Sequence, residues 1–201
     1  MISYKIKKMI GEPDWSSVET AEMSNRYKET PEDVRAFAQL CYNEEGLKVH
    51  LFCENGELRA EETELLGEPS KDSCLEFFFS PMEDDKRYFN IEFNSVGCLY
   101  FGFGTYIGDL VRLLHRKRSA AFSPKINVGD NGWEIFYTIP FELIRLFFPN
   151  FEIKEGKTMR GNFYKCESAT TPINLLSWSP VKVQPKMFHF SEYFGLFEFE
   201  V

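Results

Sequence analysis

The sequence is poor in the features that announce most enzyme classes. It holds three histidines, His50, His115 and His189, far apart along the chain, and no Gly-rich phosphate loop, GxSxG elbow or HExxH motif. Imidazoles so scattered have no partners at the spacing a zinc or haem site needs. Long apolar runs are missing too: nothing approaches the roughly 18 consecutive apolar residues of a membrane span. The opening MISYKIKKMIGEPDW has lysines but no uninterrupted apolar core of signal-peptide length. These absences point to a soluble protein with no membrane partner.

Positive charge is also in deficit. With 23 Lys and Arg against 31 Asp and Glu, the net charge is −8, so the long-range field repels polyanions and nucleic acid is not an expected partner. The one basic run, Arg112 to Arg118 in LVRLLHRKRSA, has no aromatic or glycine company and reads as a solvated loop or helix end. Five cysteines, at 41, 53, 74, 98 and 166, are odd in number, and none are spaced as a metal knuckle or a thioredoxin-type pair. Three sit inside apolar runs, as small buried hydrophobes of a reducing compartment would, and this favours the cytoplasm.

What the chain does have is aromatic, alternating sequence. Hydrophobic residues make up 43%, aromatics 16%, and there are 21 phenylalanines, a composition suited to extended structure around a large core. Period-2 runs bounded by turn residues predict strands at LKVHLFC (47 to 53), CLEFFF (74 to 79), RYFNIEFN (87 to 94) and CLYFGFG (98 to 104). AFSPKINV (121 to 128) and WEIFYTI (133 to 139) flank Gly129-Asp-Asn-Gly132 as a hairpin, and GNFYKC (161 to 166) and GLFEFEV (195 to 201) complete the set. The stretch ETPEDVRAFAQLCYN carries helix-start signals, but its alternation over 34 to 42 reads as strand. Helix is expected only in IPFELIRLFFPN, near 140 to 148, with Pro140 in the first turn and Pro149 as a stop. Residues 1–201 thus read as a single all-β domain, an antiparallel β-sandwich of jelly-roll type with one short helix.

Strand parity turns this pattern into a site. In CLEFFF, Leu75, Phe77 and Phe79 share one face and Cys74, Glu76 and Phe78 the other; in RYFNIEFN, Phe89, Ile91 and Phe93 oppose Tyr88, Asn90 and Glu92. Glu76 is therefore expected near Asn90 on an outward face that mixes acids and an amide with rings. Such a face suits a sugar, whose hydroxyls need paired donors and acceptors while its C–H faces stack on aromatics. The same residues also fit a half-solvated sheet with Glu76 paired to a lysine or arginine.

An ordered set of motifs resembles the carbohydrate-binding module family 9-like domains, β-sandwiches related to the sugar- or haem-binding DOMON group. The pieces are DW (14 to 15), LCYNEEGLKVHLFCE (40 to 54), KDSCLEFFFSP (71 to 81), RYFNIEFNSVG (87 to 97), WEIFYTIPFELI (133 to 144), GNFYKC, LLSWSP (175 to 180) and FHFSEYFGLFEF (188 to 199). They span nearly the whole chain. The resemblance implies that a terminal sugar is held between aromatic rings and bonded by polar strand residues. Carried over by position, these are Glu76, Asn90, Lys165 and Phe188, with Tyr88 beside them and Arg59 as a loop cation at the rim; Trp178 is expected to pack rather than touch ligand. Two departures stand out: Gly67-Glu-Pro-Ser70 replaces the family's tryptophan before the strand carboxylate, and Asn90 stands where the family has arginine.

The expected function is non-catalytic binding of a mono- or oligosaccharide, in a setting of glycan catabolism, with no cofactor. The family admits calcium, but no acidic loop here has ordered ligand spacing. Two alternatives stay open: a glycoside hydrolase using Glu76 and a second acid, and a protein-interaction β-sandwich without a small ligand.

Overall fold

The structure, a computed structural model, describes residues 1–54, 58–114, 122–183 and 188–201. Among them, fourteen strands form one continuous sheet that curls into two layers around a shared core. The first layer runs β10 (Lys125–Gly129), β11 (Gly132–Pro140), β5 (Gly46–Glu54) and β4 (Arg35–Tyr42), with β2 (Thr20–Glu22) on the far edge of β4. The second runs β9 (Val111–Arg112), β8 (Leu99–Gly104), β7 (Tyr88–Asn94), β6 (Cys74–Ser80) and β12 (Thr158–Glu167). Beyond β12 lie β14 (Gly195–Phe199) along its first half and β13 (Asn174–Ser177) along its second, with β3 (Asn25–Arg26) on β13.

The two layers meet at β1 (Ser3–Lys8), whose first half pairs with β14 and whose last two residues pair with β4, both in parallel. This is where the antiparallel expectation gives way. β1 has no hairpin neighbour, so no tight turn forces it antiparallel. Elsewhere every ladder is antiparallel, and the chain is the β-sandwich its alternation predicts.

The period-2 pattern packs as expected. Leu75, Phe77 and Phe79 of β6 and Phe89, Ile91 and Phe93 of β7 face Leu47, Val49 and Leu51 of β5 and Trp133, Ile135 and Tyr137 of β11 across one buried cluster. Trp178 packs there as well, its ring 5.0 Å from that of Phe197. Residues 35–42 are strand, and the one α-helix among the described residues, α1 (Phe141–Phe147), starts at Pro140 and ends before Pro149, burying Phe141 and Ile144. The strand expected over 121 to 128 has its ladder from Lys125; His115 and residues 115 to 118 of the basic run lie outside the described residues. All five cysteines are buried and outside any disulfide.

Candidate functional site

The outer face of the second layer gathers most of the residues singled out by parity. Antiparallel register sets Glu76 of β6 between Glu92 of β7 and Tyr164 of β12; Phe78 lies between Asn90 and Asn162, and Cys74 between Asn94 and Cys166. Tyr100 of β8 extends the row from Glu92, while Gly102 and then Arg112 of β9 extend it from Asn90. Glu76 and Asn90 are thus diagonal neighbours rather than directly opposed, and the residue facing Glu76 is Glu92. Glu92 shares the parity of Asn90 in RYFNIEFN, so its place was readable from the pattern.

This face was expected to be solvated, and it is not. Glu76 is 2% exposed and Asn90 0%, because a second, smaller core closes over them. Phe188 and Phe194 supply its lid together with half-buried Tyr27, Leu110 and Val181. Phe188 stacks on Tyr164 at 4.1 Å between ring centroids, and the Tyr164 hydroxyl donates to the Phe188 carbonyl at 3.2 Å. Tyr88 is also buried, its ring 5.9 Å from Phe78 and its hydroxyl 3.1 Å from Nδ1 of His189. Glu76, Asn90, Tyr88 and Phe188 therefore belong to one buried layer.

Lys165 does not join them. Its partner across β6 is Leu75, so it points into the main core, where it is 0% exposed. There its ammonium lies 3.0 Å from Oε2 of Glu167, which also accepts from the Asn174 amide at 2.9 Å. Phe163, two residues earlier in GNFYKC and fully in the core, already fixed this parity. Arg59 is likewise committed elsewhere: it pairs with buried Asp72 and with Glu61, and Asp72 also accepts from the Asn94 amide at 2.8 Å, tying the 58–73 loop to the end of β7.

The electrostatics of the face follow from burial. Loss of water, followed by the charge of Glu92, holds the Glu76 carboxyl well above the ordinary carboxylate range. Burial likewise pushes Glu92 up to about 7, against a weaker opposing pull from the Asn90 amide and the Arg112 charge. Two carboxyls side by side thus hold protons near neutrality and can donate as well as accept hydrogen bonds. The Asn90 amide lies near enough to Glu92 to favour its charge, yet neither of its atoms reaches hydrogen-bond geometry with a partner, and Nε of Arg112 is likewise buried and unpartnered. Arg112 is otherwise anchored: Nη2 donates to the carbonyls of Gly67 and Leu99 at 2.8 Å, and the guanidinium sits 4.7 Å from the Tyr100 ring centre. Orphaned polar atoms at full burial are costly, and the unpartnered Asn90 amide among these rings marks a place built for a polar partner.

Open space adjoins this layer at Phe188. A cleft of about 440 Å³ is lined there by Arg26, Tyr27, Ser177, Val181 and Phe188, among others. Hydrolysis fits the face poorly. A retaining glycosidase sets its two carboxyls about 5–5.5 Å apart across the scissile bond, and an inverting one sets them farther. Glu76 and Glu92 instead sit directly opposite each other on adjacent strands of one buried face, with no open cleft between them for a glycosidic bond.

The sequence matches carbohydrate-binding family 9 over residues 14–199, and the protein belongs to that family. A Bacteroides uniformis protein assigned as carbohydrate-binding shares 26% identity, with a TM-score of 0.79 over 98% of this chain and 99% of its own. Two structures of a family 9 carbohydrate-binding module from Caldicellulosiruptor kristjanssonii share the fold. The one with glucose is 13% identical, with a TM-score of 0.66 over 99% of this chain and 96% of its own. The one with cellotriose is 12% identical, with a TM-score of 0.65 over 99% and 94%. No curated protein matches the sequence.

Proposed function

We propose that the protein binds a mono- or oligosaccharide without cleaving it, at the outer face of the second layer. The observation that carries this reading is the polar row of Glu76, Glu92 and Asn90 set among Tyr88, Tyr100, Tyr164 and Phe188, with the Asn90 amide unsatisfied. Sugar hydroxyls both donate and accept, as the protonated carboxyls and the amide do, and the rings supply faces for C–H stacking. Phe188 borders the cleft and covers the row, so entry of a sugar requires that ring and its neighbours to move aside. The family membership and the module structures holding glucose and cellotriose support the ligand class. The net charge of −8 disfavours nucleic acid as a partner, and five buried cysteines outside any disulfide fit a cytoplasmic setting.

Thermal unfolding against a saccharide panel tests this. A ligand at one hundred times its Kd stabilises by about 2.7 kcal/mol, which for a chain of this length raises Tm by roughly 5–10 °C. Glu76→Gln and Asn90→Ala should remove the shift while the far-ultraviolet circular dichroism stays native. A panel in which no saccharide moves Tm overturns the reading.

A further inference from the structure

The same buried face carries thiols that saccharide binding leaves unused. Cys74 and Cys166 stand directly opposite each other on β6 and β12, Glu76 follows Cys74 by two residues on the same side, and Glu92 opposes Glu76 on β7. One ligand atom from each of Cys74, Glu76 and Glu92 lies within 4.8 Å of the others, and all three residues are buried. Cys166, opposite Cys74 in the ladder, lies outside this triad, its thiol donating to the Ser70 carbonyl at 3.3 Å. Among the described residues no lysine or arginine is ion-paired to any of the three; Lys165 is held by Glu167 on the opposite face.

The geometry points to a site for a thiophilic divalent cation, zinc by preference, held by Cys74, Glu76 and Glu92 with the fourth tetrahedral position left to a water. Burial keeps all three donors protonated, so a cation binds only by displacing protons, its two charges offsetting two of the three anions formed. Zinc binds sulfur at about 2.3 Å and carboxylate oxygen at about 2.0–2.2 Å in a tetrahedron, so donors that all lie within 4.8 Å of one another need to close by no more than roughly 1 Å. A mixed sulfur and oxygen set selects zinc or cobalt over calcium, which takes six to eight oxygens.

Asn90 gives a separate reason. It is 0% exposed, adjoins Glu92 on the same face, and has neither amide atom hydrogen-bonded. With Glu92 ionised on a metal, the Asn90 amide becomes the donor that orients the ligating carboxylate, as outer partners of metal ligands do. Each carboxylate keeps a second oxygen for a sugar hydroxyl, so the two uses of the face are compatible.

The test is titration of the reduced, metal-free chain with cobalt(II) in the absence of sugar. One equivalent should give thiolate-to-cobalt charge transfer in the near ultraviolet with the strong visible bands of tetrahedral cobalt, and zinc should displace it while calcium leaves it unchanged. Binding should tighten as pH rises, because protons are released. Cys74→Ser and Glu92→Gln should weaken binding at least tenfold, whereas Cys41→Ser, altered on the other layer, should retain the bands. Cobalt that binds without thiolate charge transfer, or fails to bind the wild-type chain at all, overturns the site, and that result needs no variant to fold. Because no saccharide is present, this outcome is separate from the Tm test of sugar binding.

Discussion

Glu92 holds its proton in the folded protein up to about pH 7 against an ordinary carboxylate value of 4.5, and Glu76 is likewise raised, by burial and by Glu92 itself. A carboxyl raised on folding binds more protons in the native than in the unfolded chain over the interval between the two values. Its contribution is therefore present at low pH and is lost as pH rises through the folded value. His189 works in the opposite sense. Burial lowers it from 6.5 to about 4, so the unfolded chain takes the proton first and stability is lost as pH falls from 6.5 toward 4. The two effects offset one another between pH 4.5 and 6.5, and above 6.5 the carboxyl pair acts alone. In chemical denaturation of the metal-free protein, the stability of wild type relative to Glu92→Gln should fall by roughly 3 kcal/mol between about pH 4.5 and 7.5, the His189 effect being common to both. A difference that stays constant over this range contradicts the raised Glu92 carboxyl. Much of the pair was legible in the sequence, since parity set Glu76, Tyr88, Asn90 and Glu92 on one side of two adjoining strands. Its burial was not, because the covering rings come from Tyr27, Phe188 and Phe194, remote in sequence, and nothing in CLEFFF or RYFNIEFN announces them. Lys165 was misplaced for a different reason: its position was inferred from resemblance, while the alternation with Phe163 in its own strand assigned it to the core.

Among the elements, the strands with strong alternation and clear turns were legible to within a few residues, from β4 and β5 through β6, β7 and β8 to β11, β12 and β14. β2, β3, β9 and β13 are two to four residues long and too short to show a period. β1 alternates Tyr4 and Ile6 inward with Lys5 and Lys7 outward, yet its partners lie at the far end of the chain and in β4, which no local signal reveals. How β1 joins the layers is visible at Leu40. On that edge of β4, β2 pairs with Phe37 to Gln39 and β1 with Cys41 and Tyr42, leaving Leu40 between the two ladders. The Tyr4 hydroxyl fills the gap, accepting from the Leu40 amide at 2.9 Å and donating to the Glu19 carbonyl. Tyr4→Phe keeps the ring and orphans a buried amide, so it should cost about 1–3 kcal/mol in urea unfolding. Ile6→Val, which only shortens a core side chain on the same strand, should cost about 0.5–1.5 kcal/mol. Equal stability of Tyr4→Phe and wild type would mean that packing alone seats β1.

At the scale of the whole molecule, net charge constrains which saccharides reach the face. A chain with eight more acids than bases surrounds itself with a negative potential, and that potential raises the free energy of any anionic ligand before it makes a contact. Neutral glycans do not feel it. The acidic excess was read from composition alone, and the fold adds where it matters: the site offers two carboxyls, Glu76 and Glu92, while Arg112 beside them is bonded to the Gly67 and Leu99 carbonyls and Arg26 at the cleft to the Pro31 and Val34 carbonyls. Nothing among these groups is arranged to capture a carboxylate or sulfate. Screening gives the means to separate the long-range contribution from the contacts, because the Debye length contracts from about 30 Å at 0.01 M salt to about 8 Å at 0.15 M. A neutral oligosaccharide and a uronate-bearing oligosaccharide of the same length and linkage should therefore differ most at low salt, the neutral one binding at least several-fold tighter. Raising salt should improve the anionic ligand and leave the neutral one unchanged in isothermal titration. An anionic glycan that binds tighter than its neutral counterpart at 0.01 M salt would show that a basic contact outside this face governs selection.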